Sequence, residues 1–373
     1  MKQADVVIIG GGLAGLVLAH RLSDTCAVLL IEKNSYPFHR VCGEYISNEV
    51  KPFLVSRGLF PQELAPASIN RLKVSSPSGK RVVQAGLPMG GFGISRYELD
   101  FFLYKKAKQK QITILENTQV QDVRCEQDQY TTLLLNGEEV QSKLVIGAYG
   151  KRSNLDRSLH REFFYKRSPY IGVKYHIRHA HPANEIALHN FRDGYCGMSA
   201  IEDGKSCLCY LTTREQLKAH GDVPSMEKAV LFENPLLKDV FQNADFLWEK
   251  PLVINEITFD TKSTVDHGLI YCGDAAGMIA PLCGNGMSMA IHSAKLLSEA
   301  IQQYSGDLSL NKEKIMAAYS NTWTSCFSKR LWIGRTIQGM FGRPFMTELV
   351  VQTLGIFPAL NKTIIRATHG DYI

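Results

Sequence analysis

The sequence lacks the features that assign a chemistry most directly. It has nine cysteines but no CxxC pair, and no cluster of His, Cys, Asp or Glu has the spacing of metal ligands. It has no GxSxG or other nucleophile motif, no internal repeat and no low-complexity linker. We therefore predict neither a metal site nor serine-hydrolase chemistry, and we interpret the cysteines as buried, reduced thiols.

Long apolar runs are also missing. The longest, from Val6 to Ala19, contains four glycines and is too short to span a bilayer. Asp5 and the lack of a cleavage region argue against a signal peptide, so we expect a cytoplasmic protein. A length of 373 residues, with 45% apolar and 21% charged residues, predicts a globular protein of two domains or one domain with an inserted lobe.

The net charge of +6 is concentrated near the C-terminus. From Asn311 onward there are eight Lys or Arg and three Asp or Glu, interleaved with large apolar residues as in FSKRLWIGRTIQGMFGRPF. Such a segment suits a membrane surface or an apolar anionic ligand. It also suits an amphipathic helix packed on the core with its basic face in water. Peripheral membrane contact is therefore a hypothesis, and we expect no nucleic-acid partner.

A βαβ unit is predicted for ADVVIIGGGLAGLVLAHRLSDTCAVLLIEKN, residues 4–34. Val6–Ile9 is a continuous apolar run, as expected of a parallel strand buried on both faces. Gly10, Gly12 and Gly15 then form GxGxxG at the start of a helix. They permit a tight turn, close approach of a pyrophosphate and close packing of helix on sheet, and the first helical amides hold the anion.

The second strand of this unit ends in an acid. Glu32 follows Gly10 by 22 residues, where a carboxylate accepts hydrogen bonds from ribose hydroxyls. The unit therefore predicts a dinucleotide site, without deciding between NAD and FAD.

A second glycine-rich turn, CGDAAGMIAPLCGNGMSMAIHSAKLL at residues 272–297, decides that choice. A short apolar strand precedes Asp274, whose carboxylate suits a ribityl hydroxyl of a flavin. Gly284–Gly286 leads into a helix with an apolar stripe, so the amides of Gly284 to Met287 lie at the positive end of that helix. These amides would stabilise the negative charge that forms on a flavin when it is reduced. We therefore expect FAD.

With both turns in place, the chain resembles FAD-dependent oxidoreductases of the para-hydroxybenzoate hydroxylase-like and geranylgeranyl reductase-like group, which have a glutathione-reductase-type FAD fold. HRVCGEYIS (39–47) and ISRYELDFFL (94–103) carry the resemblance further, and LVIGAYGKRSNLD (144–156) matches imperfectly. The resemblance implies that Arg40 and Glu44 lie near the flavin and its diphosphate, and that Arg96 reaches the diphosphate. An i,i+4 ion pair between Arg96 and Asp100 remains an alternative.

The predicted cofactor-binding residues combine those of the two turns with those that the resemblance implies. They are Gly10, Gly12, Leu13, Ala14, Gly15, Glu32, Lys33, Arg40, Gly43, Glu44, Arg96, Val120, Gly150, Gly273, Asp274, Pro281, Gly284, Asn285, Gly286 and Met287.

The chain departs from the family pattern at several positions. Tyr149 stands where an aspartate helps to bind FAD and NAD(P)H, which weakens the case for direct reduction, although NAD(P)H remains the expected electron donor. Asp156 replaces an arginine typical of monooxygenases. The tryptophan motif of halogenases and the aromatic signature of geranylgeranyl reductases are both absent, with Gly197-Met198 in place of the latter.

We predict an α/β fold with four regions. Residues 1–160 and 256–305 form the two parts of a Rossmann-like FAD-binding domain, the first with a β-meander at about 111–143. Residues 161–255 form an antiparallel substrate-binding sheet with a hairpin turn at Asp203-Gly204. Residues 306–373 form a helical C-terminal region.

For function, we expect an FAD-dependent monooxygenase that acts through a flavin C4a-hydroperoxide on an aromatic or polyketide-like hydrophobic substrate. The alternative is a geranylgeranyl-reductase-like enzyme that saturates double bonds of an isoprenoid or lipid, and a non-enzymatic FAD-fold binding protein is a third hypothesis. No catalytic residue is assigned. Pocket candidates are Tyr170, Tyr175, Phe191, Tyr195, Met198, Tyr210 and Cys42, and acid–base candidates are His176, His189 and His292.

Overall fold

The computed structural model describes residues 2–340 and 342–373, leaving aside the side chains of residues 358–360 and 362. The strands are β1 (Lys2–Ile9), β2 (Val28–Ile31), β3 (Tyr45–Ser47), β4 (Ala67–Ser75), β5 (Val82–Gly93), β6 (Thr113–Leu115), β7 (Val120–Glu126), β8 (Gln129–Leu134), β9 (Glu139–Gly147), β10 (Tyr170–Arg178), β11 (Glu185–Phe191), β12 (Gly194–Ala200), β13 (Ser206–Thr213), β14 (Asp245–Phe246), β15 (Leu252–Ile254), β16 (Val265–Asp266) and β17 (Leu269–Tyr271). The α-helices are α1 (Leu13–Leu22), α2 (Lys51–Ser56), α3 (Arg96–Gln109), α4 (Leu155–Ser158), α5 (Arg214–His220), α6 (Val223–Val230), α7 (Pro235–Asn243), α8 (Gly286–Gln303), α9 (Lys312–Met340), α10 (Pro344–Ile356) and α11 (Pro358–Thr368).

The first sheet is parallel at its centre, in the order β17-β9-β1-β2-β6. Val6–Ile9 and β2 are buried along their whole length, which explains their uninterrupted apolar sequence. Helices α1 and α3 pack against each other, and α8 packs on α1. The predicted fold class is confirmed: the chain is an α/β protein with a Rossmann-like sheet, a second sheet and a helical C-terminal region.

The β-meander consists of β7, β8 and β9, which pair antiparallel with one another. Its predicted start at about residue 111 is wrong, because β6 pairs in parallel with β2 and belongs to the parallel sheet. The short apolar segment at 113–115 has the length of a strand in either setting. Its partner is chosen by the preceding helix α3, which carries the chain back across the sheet.

The second sheet is mostly antiparallel, in the order β14-β10-β13-β12-β11-β4-β5-β3. Its predicted range of 161–255 is therefore too narrow. Strands β3 to β5, from the region assigned to the cofactor domain, extend it because β4 adds to β11 in parallel. The turn between β12 and β13 is as predicted, since Asp203 and Gly204 both have positive φ, at 58° and 65°.

Helices α6 and α7 cover the outer face of the second sheet. Their apolar residues, including Met226, Val230 and Leu237, are buried against side chains of β10, β12 and β13. Strands β10 to β13 are thus covered by helices on this face, whereas the outer face of β5 is partly exposed.

The C-terminal helices close the remaining side. Helices α10 and α11 both contact β5, and α11 also contacts α9. Within residues 2–340 and 342–373, no helix combines the length and the apolar character needed to cross a membrane.

Glu227 on α6 is buried in this packing, and its pKa can be tested by experiment. Its side chain is buried and accepts hydrogen bonds from the hydroxyls of Tyr175 (2.9 Å) and Tyr210 (2.7 Å). Burial raises the pKa of Glu227 to about 7, although both hydroxyls favour its ionised form. The carboxyl group thus holds its proton in the folded protein at pH values where the unfolded chain has lost it.

We expect this titration to make stability depend on pH between about 4.5 and 7. The stabilising effect of the raised pKa is complete below the unfolded pKa and is lost as the pH rises through the folded one. Relative to Glu227→Gln, the wild type should lose about 3 kcal/mol of unfolding free energy across that interval. Urea unfolding of both proteins at several pH values measures the difference, and parallel pH profiles would contradict it.

Candidate functional site

A single cavity of about 890 Å³ lies between the parallel sheet, the second sheet and the C-terminal helices. Of the predicted cofactor-binding residues, all but Gly15 and Asn285 line it. Residues from distant parts of the sequence, such as Gly12, Arg96 and Asp274, therefore meet at one site. Gly15 lies in the first turn of α1, and Asn285 is buried with its amide donated to the Thr368 carbonyl oxygen (2.9 Å).

The glycines of the first turn have two different roles. Gly10 has φ +108°, and a Cβ there would lie 2.6 Å from the Ala148 carbonyl oxygen. A Cβ on Gly15 would collide with the Gly10 carbonyl oxygen, so both glycines serve the fold. Gly12 is different: among the described residues, a Cβ there meets only an Arg96 nitrogen, at 3.6 Å, and otherwise projects into the cavity.

The start of α1 is suited to a diphosphate. No described side chain caps its first turn, and no acid lies in that turn. Backbone amides are thus available at the positive end of the helix, and Leu13 and Ala14 line the cavity there. The donors that an FAD diphosphate needs are present.

Charged side chains border this turn. Glu32 is buried and accepts hydrogen bonds from the Gly11 amide (2.9 Å) and from Arg40 (3.1 Å). Arg40 also contacts Asp100 (3.0 Å), and Arg96 forms two hydrogen bonds of 2.7 Å with the same carboxylate. The Arg96–Asp100 ion pair therefore exists, and Arg96 lines the cavity as well, so the two interpretations of Arg96 are compatible.

The second turn faces the first across the cavity. Gly273 has φ +64°, and a Cβ there would lie 2.9 Å from the Ala14 side chain. Asp274 lines the cavity; burial raises the pKa of its carboxyl group, against the opposing effect of Lys262, Arg96 and Lys151. A partly buried acid that lies beside a cavity, and whose carboxylate accepts no hydrogen bond from the described residues, is suited to a polyol ligand such as the ribityl chain.

Glu44 connects the cofactor side to the second sheet. Its carboxylate is fully buried and accepts hydrogen bonds from the Arg96 backbone amide (2.7 Å) and Lys174 Nζ (2.5 Å), and pairs with His176 Nε2 (2.7 Å). Burial alone would raise its pKa, but Lys174 and His176 outweigh burial and lower the pKa to about 2. The stabilising effect of this ionised carboxylate is therefore lost only as the pH falls from about 4.5 towards 2.

The residues around Glu44 include the side-chain types that bind metal ions, but their charges and protonation states do not suit a cation. Glu44, His176 and Cys207 offer three ligand atoms within 4.8 Å of one another. The ammonium group of Lys174 already neutralises the carboxylate, and burial raises the pKa of the Cys207 thiol well above its usual range. A cation would have to displace Lys174 and deprotonate Cys207, so the cluster is a buried ion pair.

Tyr149, which replaces the family aspartate, is held by a polar network behind the cavity. Its hydroxyl donates to Asp156 (2.6 Å), and Arg161 contacts Asp156 (3.1 Å) while its guanidinium lies 3.6 Å from the centre of the Tyr271 ring. Burial raises the pKa of Tyr149 well above its usual range. Tyr149 lines the cavity as a neutral phenol, and the Asp156 carboxylate lies behind it.

Four of the predicted pocket residues take part in the packing of the second sheet against α6 and α7. Tyr175, Phe191, Met198 and Tyr210 belong to the apolar cluster beneath α6 and α7. Tyr175 and Phe191 do not line the cavity, and although Met198 and Tyr210 border it, their side chains pack in the outer cluster. Tyr175 packs beneath α6 and α7, and its hydroxyl bonds to Glu227 on α6, so it lies away from the cavity.

Two further pocket candidates, Tyr195 and Cys42, also line the cavity. Tyr195 lines it together with Met278 and Ile257, and Tyr170 lies beside this group, with its ring tilted against that of Phe259 and the ring centres 5.5 Å apart. Cys42 also lines the cavity, and burial raises the pKa of its thiol.

The three histidines proposed as acid–base groups do not line the cavity. His176 pairs with Glu44, and His189 shares a hydrogen bond of 2.8 Å with Ser75. Burial lowers the pKa of His189 to about 3 and that of His292 to about 4, so both are neutral at physiological pH. Their roles in the described structure are structural.

Two groups of residues at the site were missed from the sequence: the buried Lys174, which binds Glu44, and lining residues from the C-terminal helices. Lys174, which is fully buried, also donates to the Arg40 carbonyl oxygen (3.0 Å). Period-two alternation in YIGVKYHIR places Lys174 and His176 on one face and Tyr175 on the other, so the signal existed. The second group consists of residues on α10 and α11, including Leu354 and Ile365, which line the cavity. No pattern in the sequence near these residues indicated that they would do so.

Comparison with known proteins agrees with the site. A model of the FAD binding domain family matches residues 3–320. The chain belongs to this FAD-binding family. The predicted relationship is confirmed, and the protein is an FAD-dependent oxidoreductase.

Curated relatives of this FAD-binding chain include both reductases and hydroxylases. It is 25% identical over 340 residues to the digeranylgeranylglycerophospholipid reductase of Methanococcus vannielii, covering 86% of this chain and 82% of the relative. It is 26% identical over 321 residues to the ubiquinone hydroxylase UbiL of Rhodospirillum rubrum, covering 80% and 72%.

Among solved structures, the flavin-dependent brominase Bmp2 superposes with a TM-score of 0.79 at 20% identity, covering 98% of this chain and 93% of that protein. At this identity the likeness establishes the fold alone.

The two roles of the glycines predict two different defects. Gly12→Val should leave the stability of the apoprotein close to wild type, because its side chain projects into the cavity, and should weaken FAD binding at least tenfold by blocking the diphosphate. Gly15→Val should destabilise the protein itself. Urea unfolding of the apoproteins and titration with FAD, followed by flavin fluorescence, separate the two defects. Unimpaired FAD binding by Gly12→Val would contradict the placement.

Proposed function

We propose that this FAD-dependent oxidoreductase is a monooxygenase that hydroxylates an aromatic or polyketide-like head group carrying a long apolar chain. When bound, FAD takes two electrons from NAD(P)H and activates dioxygen, so that one oxygen atom becomes the hydroxyl group and the other leaves as water. The protein places the head group, excludes water and accommodates the chain.

The observation that carries the proposal is the apolar half of the cavity. Beyond Cys42 and Tyr195, the cavity continues between the second sheet and the C-terminal helices. The carboxylic acids in its lining, Glu32, Glu44 and Asp274, all lie on the cofactor side. The walls of the apolar half are aliphatic, for example at Leu72, Val83, Ala85 and Ile186 on the sheet and Leu354 and Ile365 on the helices.

This lining suits an elongated apolar ligand. An aliphatic chain buried there gains about 0.8 kcal/mol for each CH₂ group removed from water. The same walls keep water from the reacting centre, which protects a reactive oxygen species from breakdown. At the cofactor end, Gly286 and Met287 line the cavity at the positive end of α8, where a negative charge on reduced flavin is favoured.

Reduction of a double bond is the second candidate, favoured by the position of Cys42. Its thiol lines the cavity, and the raised pKa keeps it protonated at neutral pH, so it can deliver the proton that a saturated product requires. An isoprenoid chain also fits the aliphatic walls. The relative from Methanococcus vannielii is named as a reductase of such a lipid.

Oxygen labelling distinguishes the two reactions. We expect the FAD-loaded protein, supplied with NADPH, a phenol that carries an unsaturated (alkenyl) chain and oxygen-18 gas, to form a product with one labelled oxygen atom. Oxygen uptake should match product, after correction for uptake without substrate. A product that gains two hydrogen atoms under anaerobic conditions, with no oxygen requirement, would overturn the monooxygenase in favour of the reductase.

Two neighbouring valines test where the chain lies. Val83 lines the cavity, whereas Val82 points to the opposite face of the same strand and is 44% exposed. Val83→Trp should raise KM at least tenfold for long-chain substrates and leave it nearly unchanged for the same head group with a short chain. Val82→Trp is the matched control, and equal effects on long and short substrates would place the chain elsewhere.

A further inference from the structure

Helix α10 forms a wall of the cavity with apolar residues on both of its faces. On the inner face, Thr347 and Val351 are fully buried and Leu354 lines the cavity. On the outer face, Phe345, Leu349 and Ile356 follow one another at helical spacing, with exposures of 79%, 49% and 60%. A helix that is apolar all round is normally buried on all sides, so the outer face lacks an apolar partner in the described structure.

The charged side chain of α10, that of Glu348, does not cover the apolar residues of the outer face. Glu348 is the one Asp, Glu, Lys or Arg in the helix. It accepts a hydrogen bond from the Ser78 amide (2.8 Å) and lies 3.8 Å from Arg81, so it is directed towards the turn between β4 and β5. Met346 and Phe357, 41% and 58% exposed, extend the outer face at its two ends. We name Phe345, Met346, Leu349, Ile356 and Phe357 the outer face of α10.

Basic residues border this face. Arg343 precedes the helix and is exposed, and Arg366 is exposed on the neighbouring helix α11. The chain from residue 311 to 373 has eight Lys or Arg against three Asp or Glu, and two of the eight, Lys312 and Arg330, pair with Asp128 and Glu49 outside this segment. Large apolar side chains with a basic surround match the boundary of a bilayer that contains anionic lipids.

We propose that the outer face of α10 docks on an anionic lipid surface. A second copy of the chain is the competing occupant, but a two-fold contact would bring the same basic region against itself. An anionic bilayer instead supplies both the apolar phase and the opposite charge. The helix lies in the plane of the interface, with Phe345, Leu349 and Ile356 among the acyl chains and Arg343 at the headgroups.

Docking in this orientation leaves one helix between the bilayer and the apolar half of the cavity. A substrate that is dissolved in the bilayer is then held next to the wall of the cavity that α10 forms. This consequence rests on the proposed function, whereas the docking itself does not, because it depends only on the surface of α10.

Vesicle sedimentation with the purified, FAD-loaded protein tests the docking. We expect the protein to sediment with phosphatidylglycerol vesicles, to bind phosphatidylcholine vesicles more weakly, and to lose binding as salt rises. Phe345→Ser combined with Leu349→Ser should weaken binding at least tenfold, because two side chains no longer enter the apolar phase. Leu310→Ser, at an 82% exposed position before α9, is the matched control and should bind as wild type.

Three results would overturn the proposal. The first is no sedimentation with anionic vesicles, and the second is an equal loss of binding in the Leu310→Ser control. The third is a dimer in sedimentation velocity that the Phe345→Ser, Leu349→Ser double substitution dissociates, which would assign the face to a second copy. The oxygen-labelling experiment, repeated with a substrate dispersed in detergent, needs no membrane. It therefore tests the proposed reaction independently of docking, and the two failures are distinguishable.

Discussion

The buried carboxylate of Glu44 links helix α3, which packs on the parallel-sheet layer, to strand β10 of the second sheet. It receives hydrogen bonds from the Arg96 amide at the start of α3 and from Lys174 on β10, and it pairs with His176 on the same strand. Its own backbone has φ 57°, so the loop that carries it is bent to bring the carboxylate inward. Removing one member of such a buried pair leaves an unpaired charge and costs about 3–5 kcal/mol. Because Glu44 also lines the cavity, this contact fixes one part of the cavity wall.

Much of the cofactor side could be predicted from the sequence, because the constraints there are local. A tight turn needs Gly10, a close helix needs Gly15, and the strand before them is apolar because both its faces are covered. The second turn obeys the same constraints at Gly273. Such requirements act within a few residues and therefore leave a readable pattern, so the FAD family and the α/β fold were identified correctly.

The substrate side was harder because its constraints are not local. Alternation in β10 gave two faces but could not say which one meets the cavity; that depends on α6 and α7, which follow later in the chain. Lys174 faces inward because Glu44, 130 residues away, compensates its charge. Likewise, β4 joins β11 across a long connection, and α11 reaches the cavity from the far end of the sequence. None of these pairings has a signal in either segment alone.

The separation of the two glycine turns affects how the protein is made. Gly12 and Asp274 line one cavity, yet a ribosome adding about 5–20 residues per second needs roughly 10–50 s to proceed from one to the other. During that interval the nascent chain carries half a cofactor site and an unpaired edge at β9, because β17 and α8 have not been synthesised. The complete set of cofactor-binding residues is therefore present only late in synthesis.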